Sequence, residues 1–225
     1  MRTFQNLATF GDRFPAPSSV GGVYAPMDNV EWTNGFWTGM LWLAYEVTGD
    51  RHYLNVAQAH VASFRRRVED KINVDHHDLG FLYTLSCVSA YKLTGSDIAE
   101  DAALRAAALL LRRYLPEAGI IQAWGDLSDP AQRGRMIIDC NLNLPLLYWA
   151  AEMTGAMRYR EAADSHIAHA AAHIVRSDAS TFHTFYMHAE TGRPLHGKTH
   201  QGHSDTSCWA RGQAWGIYGF PLVYR

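Results

Sequence analysis

The chain has 225 residues, 48% of them hydrophobic, and a formal net charge of −2 with both signs interspersed. That is enough apolar material for a sizeable core, and it leaves no electrostatic footprint for nucleic acid or an anionic membrane surface. No apolar run approaches the roughly 18 residues a bilayer span needs, and the opening stretch MRTFQNLATFGDRFPAPSS lacks the apolar heart of a secretory signal, so a cytoplasmic setting is expected.

The first predicted helix is Gly35–Gly49 (GFWTGMLWLAYEVTG). Phe36, Met40, Leu43 and Ala44 recur there at 3- and 4-residue steps, and Trp37, Leu41 and Tyr45 widen the stripe. His52–Val68 follows as its partner, with Leu54, Ala57, Val61 and Phe64 inward and the basic run Arg65–Arg67 outward. Gly80–Gly95 (GFLYTLSCVSAYKLTG) and Ile98–Tyr114 repeat the pair. A long loop at Gly119–Arg135 leads to the third pair, Asn141–Gly155 (NLNLPLLYWAAEMTG) with Tyr159–Val175. A second long loop, Ser177–Ser207, contains a short strand predicted within Thr181–His188, in a hairpin closed by Glu190–Gly192. A fourth copy of the first helix opens at Gly212 and runs to Arg225.

The three complete first helices end in the same Thr-Gly stop. They are apolar nearly all round, whereas the second helices are amphipathic. The contrast predicts an all-α ring of helical hairpins, an (α/α) toroid with one helical layer inside the other, and residues 1–225 as a single domain. Equivalent positions of a stacked repeat fall on one face. Trp32 precedes Thr48 by 16 residues (48 − 32), Asp78 precedes Thr94 by 16 (94 − 78), and Asp139 precedes Thr154 by 15 (154 − 139). One mouth is therefore expected to carry a tryptophan and two aspartates.

Asp139 stands between Met136-Ile137-Ile138 and Cys140. Apolar neighbours disfavour a carboxylate and raise its pKa, which suits a general acid near neutral pH. The plainer reading is an N-cap for the helix that follows. Asp78, in Asp75-His76-His77-Asp78, is open to the same two readings. Two aspartates at equivalent repeat positions suggest a carboxyl pair across a cavity, as in the cleavage of glycosidic bonds. Aromatic faces that stack on sugar rings are available in Trp32, Trp124 and Trp215, while Trp37 and Trp209 read as core. Arg211, between Trp209 and Trp215, either pairs with a loop carboxylate such as Asp205 or grips a bound anion through its planar fork. His196, His200 and His203 lie in glycine-punctuated loop without cysteine partners, so no metal site is expected there. Cys87, Cys140 and Cys208 are odd in number, without a CxxC, and read as reduced core thiols. Neither a phosphate-cradling glycine loop nor a Gly-x-Ser-x-Gly elbow is present.

The strings GDRFP (Gly11–Pro15), EWTNGFWTGMLWLAYEVTGD (Glu31–Asp50), DHHDLGFLY (Asp75–Tyr83), GIIQAWGD (Gly119–Asp126), IIDCNLNLPLLYWAAEMTG (Ile137–Gly155), HTFY (His183–Tyr186) and THQGHSDTSCWARGQAWGIYGF (Thr199–Phe220) resemble the unsaturated glucuronyl hydrolases, glycoside hydrolase family 88. The resemblance implies a ring of six inner and six outer helices, of which this chain would supply four inner and three outer, leaving apolar inner faces exposed. It implies hydrolysis of oligosaccharides left by polysaccharide lyases, through protonation of the C4=C5 double bond of the terminal uronate and addition of water at C5. By the same resemblance Asp139 is the general acid and base and Asp78 the assisting carboxylate. Trp32, His77, Trp124, His183, Gln201, Arg211 and Trp215 then line the substrate subsite, and no metal or organic cofactor is implied. The rivals are an unsaturated rhamnogalacturonyl hydrolase and a non-catalytic, truncated sugar-binding remnant.

Overall fold

The computed structural model describes residues 2–224; the last residue of the predicted fourth helix, Arg225, lies outside the described residues. The chain divides into two compact units, one running up to Val74 and including Leu79–Ala106, the other made of Asp75–Asp78 and Ala107 onward. No helix among the described residues is long and apolar enough to cross a membrane.

The first unit opens with α1 (Arg2–Phe10), for which the sequence pattern named no element, and a short ladder of β1 (Phe14–Pro15) with β2 (Pro26–Met27). The first hairpin is α2 (Asn34–Thr48) with α3 (Arg51–Glu69). The second predicted helix is interrupted: α4 (Leu79–Tyr83) passes through a π-helical turn, Thr84–Val88, into α5 (Ser89–Thr94), and α6 (Asp97–Leu111) follows. A π turn holds one extra residue per turn and leaves no trace in apolar periodicity, so the sequence read as one unbroken helix.

The Thr-Gly stop works the same way each time. Gly49 and Gly95 have φ of 68°, and their N–H groups bond the carbonyls of Tyr45 (2.7 Å) and Tyr91 (2.8 Å). The preceding threonine folds its hydroxyl back onto the carbonyl four residues earlier, Thr48 onto Ala44 (2.6 Å) and Thr94 onto Ala90 (2.7 Å). Only a residue that tolerates the left-handed region can end the helix this way, which is why glycine recurs. Asp50 then caps α3 through the His52 N–H (2.9 Å).

On α3 the expected stripe is buried: Leu54, Ala57, Val61 and Phe64 all face the core. Arg67, expected outward, is 1% exposed. Its guanidinium donates to Asn29 Oδ1 (2.9 Å) and to the carbonyls of Val30, Glu31, Ile72 and Asn73 at 2.9–3.2 Å. A fork with five donors can serve several loop carbonyls at once, and that outweighs keeping the charge in water. On α2, Trp37, Leu41 and Trp42 are buried while Met40, Leu43 and Val47 are exposed. A helix apolar all round gives periodicity no means of choosing its buried side; the two small residues Gly35 and Gly39 choose it, because they face Phe81–Leu82 and Leu85.

In the second unit β3 (Tyr114–Leu115) pairs antiparallel with β4 (Ile120–Ile121). β5 (Arg135–Ile137) leads through a 3-10 turn, Ile138–Leu142, into α7 (Leu144–Thr154), which ends at Gly155 with the same cap, and then α8 (Met157–His173). β6 (Thr184–Met187) pairs with both β5 and β7 (Pro194–Lys198), and α9 (Ala210–Tyr224) closes the described chain. The hairpin and its turn fall where predicted, whereas β5 was hidden at the end of a segment read as loop. Leu115, Ile120, Met136, Ile138, Ile174 and Phe185 anchor this unit's core. α9 lies close against the 3-10 turn: Gly216 faces Ile138, and a Cβ on Gly219 would stand 2.7 Å from Asn141 Cβ.

An alanine at position 35 gains up to about 1 kcal/mol of helix propensity, yet its Cβ would overlap the Phe81 carbonyl oxygen and approach Leu82 Cα to 2.7 Å. Backbone cannot swing aside as a side chain can. Gly35→Ala is expected to destabilise the fold by about 2 kcal/mol net, read as a lowered urea midpoint. A midpoint equal to or above that of the parent would show that α2 does not depend on this close approach.

Candidate active site

Arg113 organises the site from below. It lies just past α6 and is 1% exposed. Its guanidinium donates to the carbonyls of Gln122 (2.9 Å), Gly125 (3.0 Å) and Asp75 (3.2 Å), and to the Asp75 carboxylate. The His77 N–H bonds the Ala123 carbonyl (2.9 Å). The Asp75–Asp78 segment and the Gln122–Gly125 loop are thereby tied together, and with them His77, Asp78 and Trp124.

Asp139 enters from the 3-10 turn Ile138–Leu142, and β5 immediately before it fixes its height. His77 Nε2 lies 3.3 Å from Asp78 Oδ1 and 3.5 Å from Asp139 Oδ1, while His76 Nδ1 lies 3.4 Å from Asp78 Oδ2. The carboxyl side chains are 20% and 18% exposed and the His77 side chain 3%, so the acids face solvent and the imidazole stands behind them. The two aspartates come together as the repeat suggested, both close to the same imidazole nitrogen.

Burial pushes the Asp139 carboxyl well above the ordinary carboxylate range, and the Asp78 charge adds to this; its own backbone N–H and Arg211 pull the other way. Burial also lowers His77 to about 4, against the Asp78 charge and with help from His76 and Arg113. His77 is therefore neutral near pH 7. Its Nε2 faces the Asp78 carboxylate at 3.3 Å, which favours the ring proton on that nitrogen. The cap reading of Asp139 is not realised. α7 begins at Leu144, its N-cap position is Asn143, and Asp139 Oδ1 accepts no hydrogen bond among the described residues.

The remaining predicted residues in this unit fall into two groups. His183, buried on the approach to β6, accepts the His200 N–H at Nδ1 (3.0 Å) and packs on Trp209, ring centroids 4.2 Å apart. Arg211 lies over the other side of Trp209 (4.5 Å) and donates to Gln201 Oε1. It is exposed, and it is not ion-paired with Asp205, whose carboxylate accepts the Thr199 N–H (2.9 Å). Trp209, read as core, is partly exposed between these groups. Its sandwich position was legible only as the Trp-x-Arg spacing. Trp215 is partly buried against the unit's core.

Trp124 belongs to a second cluster that sequence reasoning missed. Cross-strand register sets Arg135 beside Tyr186 and Tyr186 beside His196. The Arg135 guanidinium lies over Trp124 (4.6 Å) and its Nε donates to the Tyr186 hydroxyl (2.9 Å), while His200 packs edge-on against Trp124 (5.0 Å). Trp32 belongs to the first unit, where it packs against Phe36 and Phe81 at 6.1 and 5.7 Å. Cys87 and Cys140 are buried thiols as expected; Cys208, read as core, is exposed in the loop just ahead of α9, its thiol donating to Gln213 (3.3 Å). Among the described residues, His77, Asp78 and Asp139 are the set whose ligand atoms, all within 4.8 Å of one another, could hold a cation. A cation there would compete with the proton on Asp139. His196 stacks on Tyr186 (5.0 Å) rather than joining His200 and His203 in a ligand set.

The profile of Glycosyl Hydrolase Family 88 matches residues 12–225. A Streptococcus pneumoniae protein named unsaturated chondroitin disaccharide hydrolase is 52% identical over 98% of this chain and 55% of its own length. The crystal structure of an unsaturated glucuronyl hydrolase from Bacillus sp. GL1, described as responsible for the degradation of glycosaminoglycan, superposes with a TM-score of 0.94 at 52% identity, covering 98% of this chain and 58% of that one. An Asp-to-Asn mutant of the Streptococcus agalactiae enzyme, complexed with dGlcA-GalNAc6S, superposes with a TM-score of 0.82 at 47% identity, over all of this chain and 54% of that one. The fold class is thus that of these neighbours, a mostly helical α/α toroid, and the chain spans little more than half the length of the relatives it matches.

Because the folded state holds His77 neutral down to about pH 4, whereas an unfolded histidine takes a proton near 6.5, stability falls as the pH drops through that window. The contribution at stake is on the order of 3 kcal/mol, at about 1.4 kcal/mol per pKa unit. Urea unfolding at pH 7, 5.5 and 4 is expected to show a smaller decline in His77→Gln than in the parent chain. Parallel declines in the two proteins would remove His77 from this account.

Proposed function

The chain belongs to Glycosyl Hydrolase Family 88, and from that premise we propose that it hydrolyses unsaturated glucuronyl oligosaccharides, releasing the unsaturated uronate from the non-reducing end. The observation that carries the proposal is the gathering of Asp139 and Asp78 beside one neutral imidazole, where burial and a neighbouring anion raise the Asp139 carboxyl well above the ordinary carboxylate range. Ordinary glycosidases oppose their carboxyl groups across the scissile bond, at roughly 5–5.5 Å or 6.5–9.5 Å. Here both groups gather on one side of a single nitrogen, which suits delivery of one proton to a double bond.

In this reading Asp139 protonates C4 of the C4=C5 vinyl ether, and positive charge develops at C5 and the ring oxygen. Asp78, held by His76 and His77, stabilises that charge. Asp139, now a carboxylate, takes a proton from the water that adds at C5. The resulting hemiketal opens to a C5 ketone, leaving C1 as a hemiacetal. C1 then becomes an aldehyde as the rest of the oligosaccharide departs as an alcohol. One water is consumed and Asp139 ends protonated, as it began. Arg211, braced by Gln201 and lying on Trp209, is placed to grip the uronate carboxylate. His183, Trp124 and Trp215 supply faces and a donor for the sugar rings. The sugars named for the relatives make chondroitin-type disaccharides the first substrates to try.

Asp139→Asn is expected to abolish loss of the C4=C5 ultraviolet absorbance while leaving disaccharide binding nearly intact. In the parent, activity is expected to fall as alkaline pH strips the proton from Asp139, on a limb displaced well above ordinary carboxylates. Binding without absorbance loss in the parent, unchanged by the substitution, would replace catalysis with simple sugar binding. Arg211→Ala is expected to raise KM about 10- to 100-fold, the worth of a charge-assisted hydrogen bond. A thermal midpoint that drops while KM holds would make Arg211 a structural brace.

A further inference from the structure

Trp124 has a pinned backbone and a side chain that no hydrogen bond holds. Its neighbour Ala123 donates its N–H to the Arg135 carbonyl (2.9 Å) and accepts the His77 backbone N–H (2.9 Å). The Gln122 side-chain amide donates to the Trp124 carbonyl (3.3 Å). The indole itself is 36% exposed, and its N–H bonds nothing among the described residues. A fixed backbone still leaves a tryptophan its side-chain torsions, and a ring that is loose before a ligand arrives must be ordered when it binds.

Four side chains close a circuit around that ring. The Arg135 guanidinium lies over the indole at 4.6 Å, and its Nε donates to the Tyr186 hydroxyl (2.9 Å). The Tyr186 hydroxyl is 3.3 Å from His200 Nε2, and the His200 ring returns to Trp124 at 5.0 Å and 75°. Each corner has its own support. Strand register sets Arg135 opposite Tyr186, His196 stacks on Tyr186 (5.0 Å, 14°), and the His200 N–H bonds His183 Nδ1 (3.0 Å). The hydrogens also match: the tyrosine oxygen accepts from Arg135 and its one hydrogen goes to His200 Nε2. That nitrogen is bare near neutral pH, because burial and then the Arg135 and Lys198 charges lower the His200 pKa. Arg135 is partly buried and makes no ion pair among the described residues, so two rings and a hydroxyl, not a carboxylate, set its place.

We infer that Arg135 is a positioning residue for Trp124, holding the indole in one orientation before a sugar reaches it. The sugar-binding consequence rests on the hydrolase reading; the circuit itself does not. A planar guanidinium can lie flat on the indole while its Nε bonds sideways, whereas an ammonium is a point charge that does neither. Loss of the guanidinium leaves the indole to be ordered by the substrate. The cost falls on KM rather than kcat, since Trp124 takes no part in the proton transfers.

A double-mutant cycle separates this role from a structural one. The variants are R135M, which keeps only the stem, R135K, W124A and R135M/W124A, all in the full chain. The readouts are kinetics on an unsaturated chondroitin disaccharide and the indole 1H–15N resonance of Trp124, identified by its absence from W124A. R135M is expected to displace that resonance and to raise KM about 10-fold with kcat changed less than about 2-fold. R135K is expected to follow R135M. In the W124A background R135M is expected to change KM less than about 2-fold, because two residues acting as one unit are not additive. A full further rise in KM in that background overturns the inference, and so does a Trp124 resonance that stays at its parent position in R135M. Should R135M not fold, Y186F, which removes the hydroxyl that holds Nε, carries the same expectations and the same refutations. A parent chain inactive on the disaccharide refutes the hydrolase reading, while the indole resonance still decides the circuit.

Discussion

The candidate site stands on one buried guanidinium. Among the described residues Arg113 is ion-paired with Asp75 alone, whose side chain is 80% exposed, so the pair contributes little. What holds the guanidinium in place is the set of carbonyls from Asp75, Gln122 and Gly125, because a buried charge left short of acceptors is costly. Those carbonyls belong to the two loop segments that carry His77, Asp78 and Trp124. Burying the arginine therefore fixes the loops, and the loops fix the chemistry. Arg67 does the same in the first unit for the loops around Asn29–Glu31 and Ile72–Asn73. In both cases an arginine at the end of an outer helix is turned inward to organise irregular backbone that has no strand or helix to pair with.

The opposite device holds Asp139. Its segment is a 3-10 turn rather than a helix, and it is gripped by small residues: α9 presents Gly212, Gly216 and Gly219 to Ile138, Asn141 and Leu142. Without side chains in the way, α9 approaches the turn closely enough to leave the Asp139 carboxyl few places to go. The cross-strand pairing of Ile137 with Thr184 holds the other end. Position along the chain is thus specified twice, by a ladder before the aspartate and by a glycine face beside it.

Much of this was legible in the sequence, and the failures share a cause. Hairpins, helix stops and the long rim loops follow from apolar periodicity and from Thr-Gly, which are local signals. Asp78 and Asp139 could be singled out because repeat spacing is also local. The outward reading of Arg67 failed because its burial depends on acceptors at Asn29, Val30 and Glu31, 36 to 38 residues away, beyond any helical window. The Arg135–Tyr186–His196 row is likewise a product of strand register, which joins positions distant in sequence. The buried side of α2 was undecidable from hydrophobicity alone, since both sides are apolar; steric access at Gly35 and Gly39 decides it. The π turn at Thr84–Val88 inserts a residue without changing composition, so it left no mark.

The neutrality of His77 and the raised pKa of Asp139 are two aspects of one arrangement. An imidazolium 3.5 Å from Asp139 would stabilise the carboxylate and release the proton that acid chemistry needs. Burial prevents this by making the charged imidazole costly, so the ring remains a hydrogen-bond donor without becoming a cation. Asp78 can then act as the single anion of the group, raising its neighbour's pKa across a short distance instead of being neutralised. Exposing His77 would undo both effects at once: the ring would charge, and Asp139 would ionise beside it. The 3% exposure of that side chain, behind two carboxyl groups that solvent can reach, keeps a cation away from Asp139, so the ring does not offset the rise that burial and Asp78 produce.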